Sequence, residues 1–404
     1  MAVEGQAHTR LLDLSRLVSR VGRAAWTGVD RVEAAYLDRL LAEPGDLFAL
    51  VRSSFGFTLF DRDGTRALAD RLHGRVPWGA TDLRTRLFLK AHPDRRRAES
   101  DLHRLCVARS GRRGLAWMLK THLPGPPVWI NTGHSNLRAS VFDAVHAAGG
   151  RAVVLVHDTI PLDHPEWQRP GTVESFETRM RQVAMKADLV IHTAEATRRT
   201  TEAQFARLGR VPDAVVAHLG VTPPAAGALP PGLSPHKPYF VSLGTIEPRK
   251  NHALLLDVWR ELSAELPSDE VPLLFIVGAR GWNNEAVFAR LDAHPAHVRE
   301  LGPLPDAQLA ALIQGACALV MPSRVEGFGL PPGEALGLGC PVIATDLPVY
   351  REVFGNNIVY LDPDAMYLWT NSIKSFAAGE KTAQAGRIEL PSWEAHFNRV
   401  LACL

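Results

Sequence analysis

Two glutamates, Glu326 and Glu334, stand with seven residues between them in SRVEGFGLPPGEALGLGCPVIATD, residues 323–346. The first precedes a Gly327-Phe328-Gly329 turn, and the second falls where a helix containing Pro332 is expected to start. Taken singly, neither implies chemistry, because an acid in a first helical turn complements the helix dipole and a loop acid is ordinarily solvated. Together, inside a strand, glycine turn, helix and strand, they say more. Glycines at 327 and 329 let a ligand approach the backbone with no Cβ in the way, and the free amides of a helix start face an anion or a sugar hydroxyl.

Cations gather at a second place. SLGTIEPRKNH ends an expected strand and opens a helix at Asn251 or His252, so Arg249 and Lys250 stand where charges and amides converge on phosphate. In the first half, AVVLVHDTIPLDHPEW puts His157 and Asp158 at the end of a buried strand. A lone His is usually structural, but a strand end is also where ligands bind. AAWTGVDRVEAAYLDRLL places Gly28 and Arg31 at the start of a helix whose apolar face carries Val29, Val32, Tyr36 and Leu40.

The elements that must position these residues are legible as apolar runs. From Tyr239 onward YFVSLG, PLLFIVG, VRELGPL, ALVMPS, PVIATD and NIVYLDP alternate with helix-length stretches, the pattern of βα units feeding a parallel sheet buried on both faces. Before it, PVWINTG, AVVLVHD, DLVIHTA and AVVAHLG read as strands, with helices near 137–148, 173–186 and 196–208. Between the halves, GVTPPAAGALPPGLSPHKP sustains neither helix nor strand. The expected organisation is a first α/β domain over 1–219, a linker over 220–238, a second α/β domain over 239–389 and a closing helix over 390–404. In open α/β sheets ligands bind outside the carboxyl ends of strands, which is where Glu326, Lys250 and His157 fall.

Bulk properties narrow the class. The chain has 404 residues, 46% of them hydrophobic, enough for more than one core. Its 45 Lys and Arg nearly balance 43 Asp and Glu, which argues against a dedicated nucleic-acid binder. Cys106, Cys317, Cys340 and Cys403 lack CxxC pairing, so no disulfide framework or structural zinc is expected. The first residues lack a basic start followed by an apolar core, and no run reaches the ~18 apolar residues of a membrane span, so a cytoplasmic location is expected. Asp61 and Asp63 have the D-x-D spacing of some metal sites, but Gly64 beside them favours a turn. Neither a dinucleotide fingerprint nor a Walker loop is present.

The stretch E-G-F-G-L-P-P-x-E-A-L-x-x-G-x-P-V-I-A resembles the E-x7-E signature of the retaining glycosyltransferases of the GT-B fold, the GT4 group of sugar-nucleotide-dependent enzymes. The resemblance implies two Rossmann-like domains whose parallel sheets face each other across a cleft. It implies that Glu326, Gly327, Phe328, Gly329 and Leu330 hold the donor sugar and Glu334 the ribose, with Lys250 and Arg249 on the diphosphate. Thr245 stands where many members carry an Arg. The segment from His157 is similar to the His-Asp-x-Ile-Pro of bacterial mannosyltransferase-like members, which places His157 near the donor sugar and Asp158 beside it or the acceptor. Gly28 and Arg31 would lie on the acceptor side.

The implied activity is retaining, metal-independent transfer of a hexose, with mannose the leading candidate, from a GDP- or UDP-type sugar to a glycan or lipid-linked glycan in surface or exopolysaccharide synthesis. No cofactor beyond the co-substrate and no nucleic acid are expected. A sugar-nucleotide epimerase on the same fold, or a catalytically silent nucleotide-sugar-binding subunit, remain alternatives. Residues 82–121 carry a basic excess that includes Arg84, Arg86, Lys90, Arg112, Arg113 and Lys120, which suggests peripheral contact with an anionic membrane.

Overall fold

The computed structural model describes residues 9–23, 26–380 and 389–404. Its strands form two sheets. The first contains β1 (Thr9–Asp13), β2 (Leu47–Ser53), β3 (Gly56–Phe60), β4 (Ala108–Ser110), β5 (Pro127–Asn131), β6 (Arg151–Val156), β7 (Leu189–His192) and β8 (Ala214–Val216), in the order β4-β3-β2-β1-β5-β6-β7-β8. The second contains β9 (Tyr239–Leu243), β10 (Leu273–Val277), β11 (Val298–Glu300), β12 (Ala318–Met321), β13 (Val342–Thr345) and β14 (Val359–Leu361), in the order β11-β10-β9-β12-β13-β14.

Continuous apolar runs become strands covered on both faces. Every residue of β5 and β7 is buried, as are the last five of β6. Trp129 on β5 meets Phe142 edge to face at 5.2 Å, and in the second domain Trp259 meets Phe240 at 5.8 Å. Both tryptophans are fully buried, and truncating either to Ala would cost about 3–5 kcal/mol.

The second sheet is parallel throughout, but the first is not. β3 pairs antiparallel with β2 and with β4, which forms an antiparallel edge on an otherwise parallel sheet. Only Ser54 and Phe55 join β2 to β3, and a two-residue connection permits no crossover. Gly56, at φ 129°, lies so close to β4 that a Cβ would sit 2.4 Å from the Ser110 carbonyl.

Each sheet reverses its winding once. The chain builds outward from β1 to β2 and then resumes at β5 on β1's other side; likewise β9 leads to β10 and β11, and β12 resumes beside β9. Crevices open at such reversals, outside the strands' carboxyl ends. In the second sheet the loops there are Gly244–Lys250 and Pro322–Gly329, which hold the basic turn and the glycine turn.

Residues 217–238 form neither helix nor strand, yet they are tied down. The Val221 amide donates to Pro391 O and the Gly227 amide to Ala307 O, both at 2.9 Å. The final helix, Trp393–Leu401, packs on Gly28–Ala42 of the first domain: Tyr36 Oη lies 2.8 Å from His396 Nε2, and its ring meets Phe397 at 5.0 Å.

Candidate functional site

Lys250 reaches the second crevice because a glycine follows β9. Gly244 takes φ 136°, and a Cβ there would press within 3.1 Å of Lys250 Cε. The chain then makes a tight turn over Pro248–Lys250, and Asn251, at φ 54°, starts the helix His252–Glu265. Lys250 is buried, and its Nζ lies 2.5 Å from Glu326 Oε1. Arg249 Nη1 donates to Glu326 Oε2 at 2.8 Å, while its Nε pairs with Glu247 at 2.7 Å. Burial alone would raise the Glu326 carboxyl, but Lys250 and Arg249 outweigh it and hold it down at about 2. At neutral pH Glu326 is therefore a carboxylate, held by Arg249 and by Lys250, whose own pKa burial lowers against the pull of Glu326.

The first domain closes over this cluster. Gly327 leaves no room for a side chain, since a Cβ would meet the His157 carbonyl at 2.7 Å and Asp158 Oδ2 at 2.9 Å. The Gly327 carbonyl accepts from the Thr193 and Thr197 hydroxyls at 3.1 and 2.7 Å. A cavity of about 150 Å³ remains between the domains, lined by Asp158, Ile160, Thr197, Glu326 and Pro348 among others. His157 is buried, which pulls its pKa down to about 4, and its Nε2 lies 2.7 Å from the Thr132 carbonyl. The ring is neutral at pH 7, with its proton on Nε2, where the carbonyl requires a donor. Asp158 is raised by burial and accepts from the Ile160 amide at 3.1 Å.

Glu334 departs from expectation. The helix runs Leu330–Gly337 with Gly329 (φ 108°) as its cap, so Glu334 lies one turn past the start and not in the first turn. Its partner is a charge from the opposite domain: Arg31 Nη1 donates to Oε1 at 2.5 Å, and Arg31 Nη2 reaches Asp306 at 2.7 Å. Burial raises the Glu334 carboxyl, opposed by Arg31. Gly28 lies against the Leu330 side chain, 3.3 Å from where its Cβ would be. Gly28 and Arg31, expected on the acceptor side, thus meet the helix that carries Glu334.

The remaining expected residues divide. Phe328 is buried with its ring 6.2 Å from His218. Thr245 is half-buried, its methyl packed toward Gly281. Asp61 is spent on capping the helix Arg62–Leu72, where it accepts from the Gly64 amide at 2.9 Å, and Asp63 is exposed on that helix.

Four contributors lie outside the residues expected from the sequence. Thr193 and Thr197 grip the glycine turn, and the only sequence signal for either is that Thr193 directly follows the apolar run DLVIH. Glu247 shares Arg249. Glu352 accepts from the Glu195 and Ala196 amides at 2.6 and 2.8 Å, capping the helix Glu195–Leu208 across the domain boundary, and pairs with His218 at 2.9 Å.

Residues 230–386 match the family model described as glycosyl transferases group 1. The chain is 33% identical over 243 residues to the serotype-specific mannosyltransferase WbdA of Escherichia coli, covering 55% of this chain and 29% of WbdA. It is 29% identical over 265 residues to O-antigen chain mannosyltransferase B of Escherichia coli, covering 60% and 67%. This chain therefore spans less than a third of the first relative. Among solved structures, HepE of Anabaena with UDP-glucose superposes with a TM-score of 0.59 over 98% of this chain and all of that one; at 14% identity this shows the fold, GT-B.

Proposed function

We propose, from the premise that the chain carries a group 1 glycosyltransferase domain on a GT-B fold, that it moves a hexose from a nucleoside diphosphate sugar to a glycan hydroxyl in the building of a surface polysaccharide. Mannose is favoured, being the sugar in the names of both relatives. The observation that carries the reading is Glu326 held between Lys250 and Arg249 at the winding reversal of the second sheet, with the first domain pressed on its glycine turn.

An arriving diphosphate takes over the two cations, and Glu326, released from them, accepts from the hydroxyls of the sugar. Arg31 fixes Glu334 Oε1 and leaves Oε2 for the ribose. His157 offers Nδ1 as an acceptor to the sugar and does not serve as a base. The bond from the anomeric carbon to the phosphate oxygen breaks as the acceptor oxygen arrives on the same face, and the acceptor's proton passes to the leaving phosphate. Anomeric configuration is retained. Two preorganised cations in a closed cleft contribute several kcal/mol to such a departure without a metal ion.

The test is transfer from GDP-mannose, UDP-glucose and UDP-galactose to a lipid-linked glycan, with the product anomer read by NMR. An α-linked product from one donor, at a rate unchanged by EDTA, is expected; inversion, or donor turnover without acceptor, would overturn the reading. Glu326→Ala should lower transfer about 10²–10³-fold. It should leave nucleoside diphosphate binding equal or tighter, because the cations lose their competitor; parallel loss of both contradicts the role.

We also propose that the first domain contacts an anionic membrane surface. Leu83, Leu87 and Trp117 are exposed by 72, 66 and 67% beside Arg84, Arg86 and Lys120. Vesicles with anionic lipid should sediment the protein better than neutral ones. Among the described residues no helix is long and apolar enough to cross a membrane.

A further inference from the structure

The winding reversal of the first sheet holds a pocket of its own. It lies at the carboxyl ends of β1, β2 and β5, has a volume of about 700 Å³, and is lined by Arg52, Arg138, Arg179, Asn136, Ser175 and Thr178 among others. Its floor is a loop in an uncommon conformation. His134 and Asn136 take φ 57° and 60°, left-handed values that non-glycine residues hold only where surroundings enforce them. Asn136 ties the reversal together, since its Nδ2 donates to Asp13 Oδ2 at 2.9 Å and Ser15 Oγ at 2.6 Å, while its buried Oδ1 has no hydrogen-bond partner.

The arginines of this pocket converge without an acid among them. Among the described residues, none of Arg52, Arg138 and Arg179 has a carboxylate within salt-bridge distance, nor does Arg112 nearby, whereas Arg16, Arg31, Arg71, Arg95, Arg104 and Arg249 are all paired. The charge is uncompensated: Arg138, exposed at the rim, is lowered by partial desolvation and then by Arg52 and Arg112, and Arg179 by burial and then by Arg16. Asp13, beneath the loop, is bonded to Asn136 and Ser15 instead. The pocket is also close to the reacting centre, for the His134 ring lies 5.1 Å from that of His157, whose carbonyl touches the Gly327 turn.

We propose that this pocket binds an oxyanion carried by the acceptor, a phosphate or a carboxylate, through the forks of Arg52, Arg138 and Arg179. That the ligand is the acceptor rests on the sugar-transfer reading; that it is an oxyanion rests on the arginines alone. Planar guanidinium forks match both anions, and a neutral glycan would leave three like charges unbalanced.

The test is calorimetric titration of the full chain carrying Lys250→Ala, which removes the diphosphate clamp, with inorganic phosphate and separately with glucuronate. Saturable binding of one of them is expected, and the stronger ligand names the source. Adding Arg138→Gln or Arg179→Gln should weaken it about tenfold each; Arg138 is exposed and makes no side-chain hydrogen bond, so that variant will fold. Binding by neither ligand, or affinities within twofold after both substitutions, would overturn the proposal. If phosphate binds here while the wild-type chain binds no nucleoside diphosphate, the pocket stands and the transfer reading falls.

Discussion

Four buried histidines make the fold sensitive to mild acid. His157, His192 and His396 are held down at about 4 and His252 at about 3, chiefly by burial in each case. A histidine with a depressed native pKa is neutral in the folded chain and takes up its proton on unfolding. Its stabilising contribution is complete above the unfolded value near 6.5 and is lost as pH falls toward the native one. Thermal stability should therefore decline as pH falls from about 6.5 toward 4, and His396→Gln should flatten the slope measured by calorimetry. Glu326 acts in another window: depressed to about 2, it stays ionised throughout that range, so the Lys250–Glu326–Arg249 cluster should persist while the histidines titrate. At this scale the sequence announced Glu326, Arg249, Lys250 and His157, because each sits at the end of its own apolar run. It could not announce Arg31 as the partner of Glu334, because the two are 303 positions apart and neither belongs to a shared pattern.

At the scale of elements, the buried parallel strands were readable and the first four were not. β5 to β7 and β9 to β13 are dominated by aliphatic residues. β1 is a five-residue TRLLD and β4 a three-residue ARS at the sheet edge, too short and mixed to show a period. Pro332 suggests a helix start that would put Glu334 in the first turn, whereas the left-handed Gly329 caps a helix that already begins at Leu330. The glycine turn itself yields a prediction. In Gly327→Ala the new methyl would stand 2.7 Å from the backbone carbonyl of His157, which cannot rotate away, so the turn must lift off the first domain. Transfer should fall at least ~10-fold, while Lys250, on a different loop, keeps its affinity for nucleoside diphosphate. Unchanged turnover would show that the closed contact is dispensable.

Over the whole molecule, the closed arrangement depends on a few polar bonds that cross between domains. Glu352 supplies the cap that the helix Glu195–Leu208 does not provide for itself, its own cap position being Ala194. Glu352→Ala should cost about 1–2 kcal/mol, the loss of a helix cap, and should raise amide exchange in residues 195–198 and around Gly327. Exchange confined to the helix start would mean that Glu352 stabilises one domain without holding the two together. A mechanical property follows from the tie between Val221 and Pro391. The chain passes between domains twice, once near 221 and once near 391, and the two crossings are bonded to each other at 2.9 Å. A lone tether would let one half swivel about any axis, but two strands laced side by side act as a door hinge. Two crossings fastened together constrain the relative orientation of the domains more tightly than one, which fixes where Gly327 meets the His157 carbonyl.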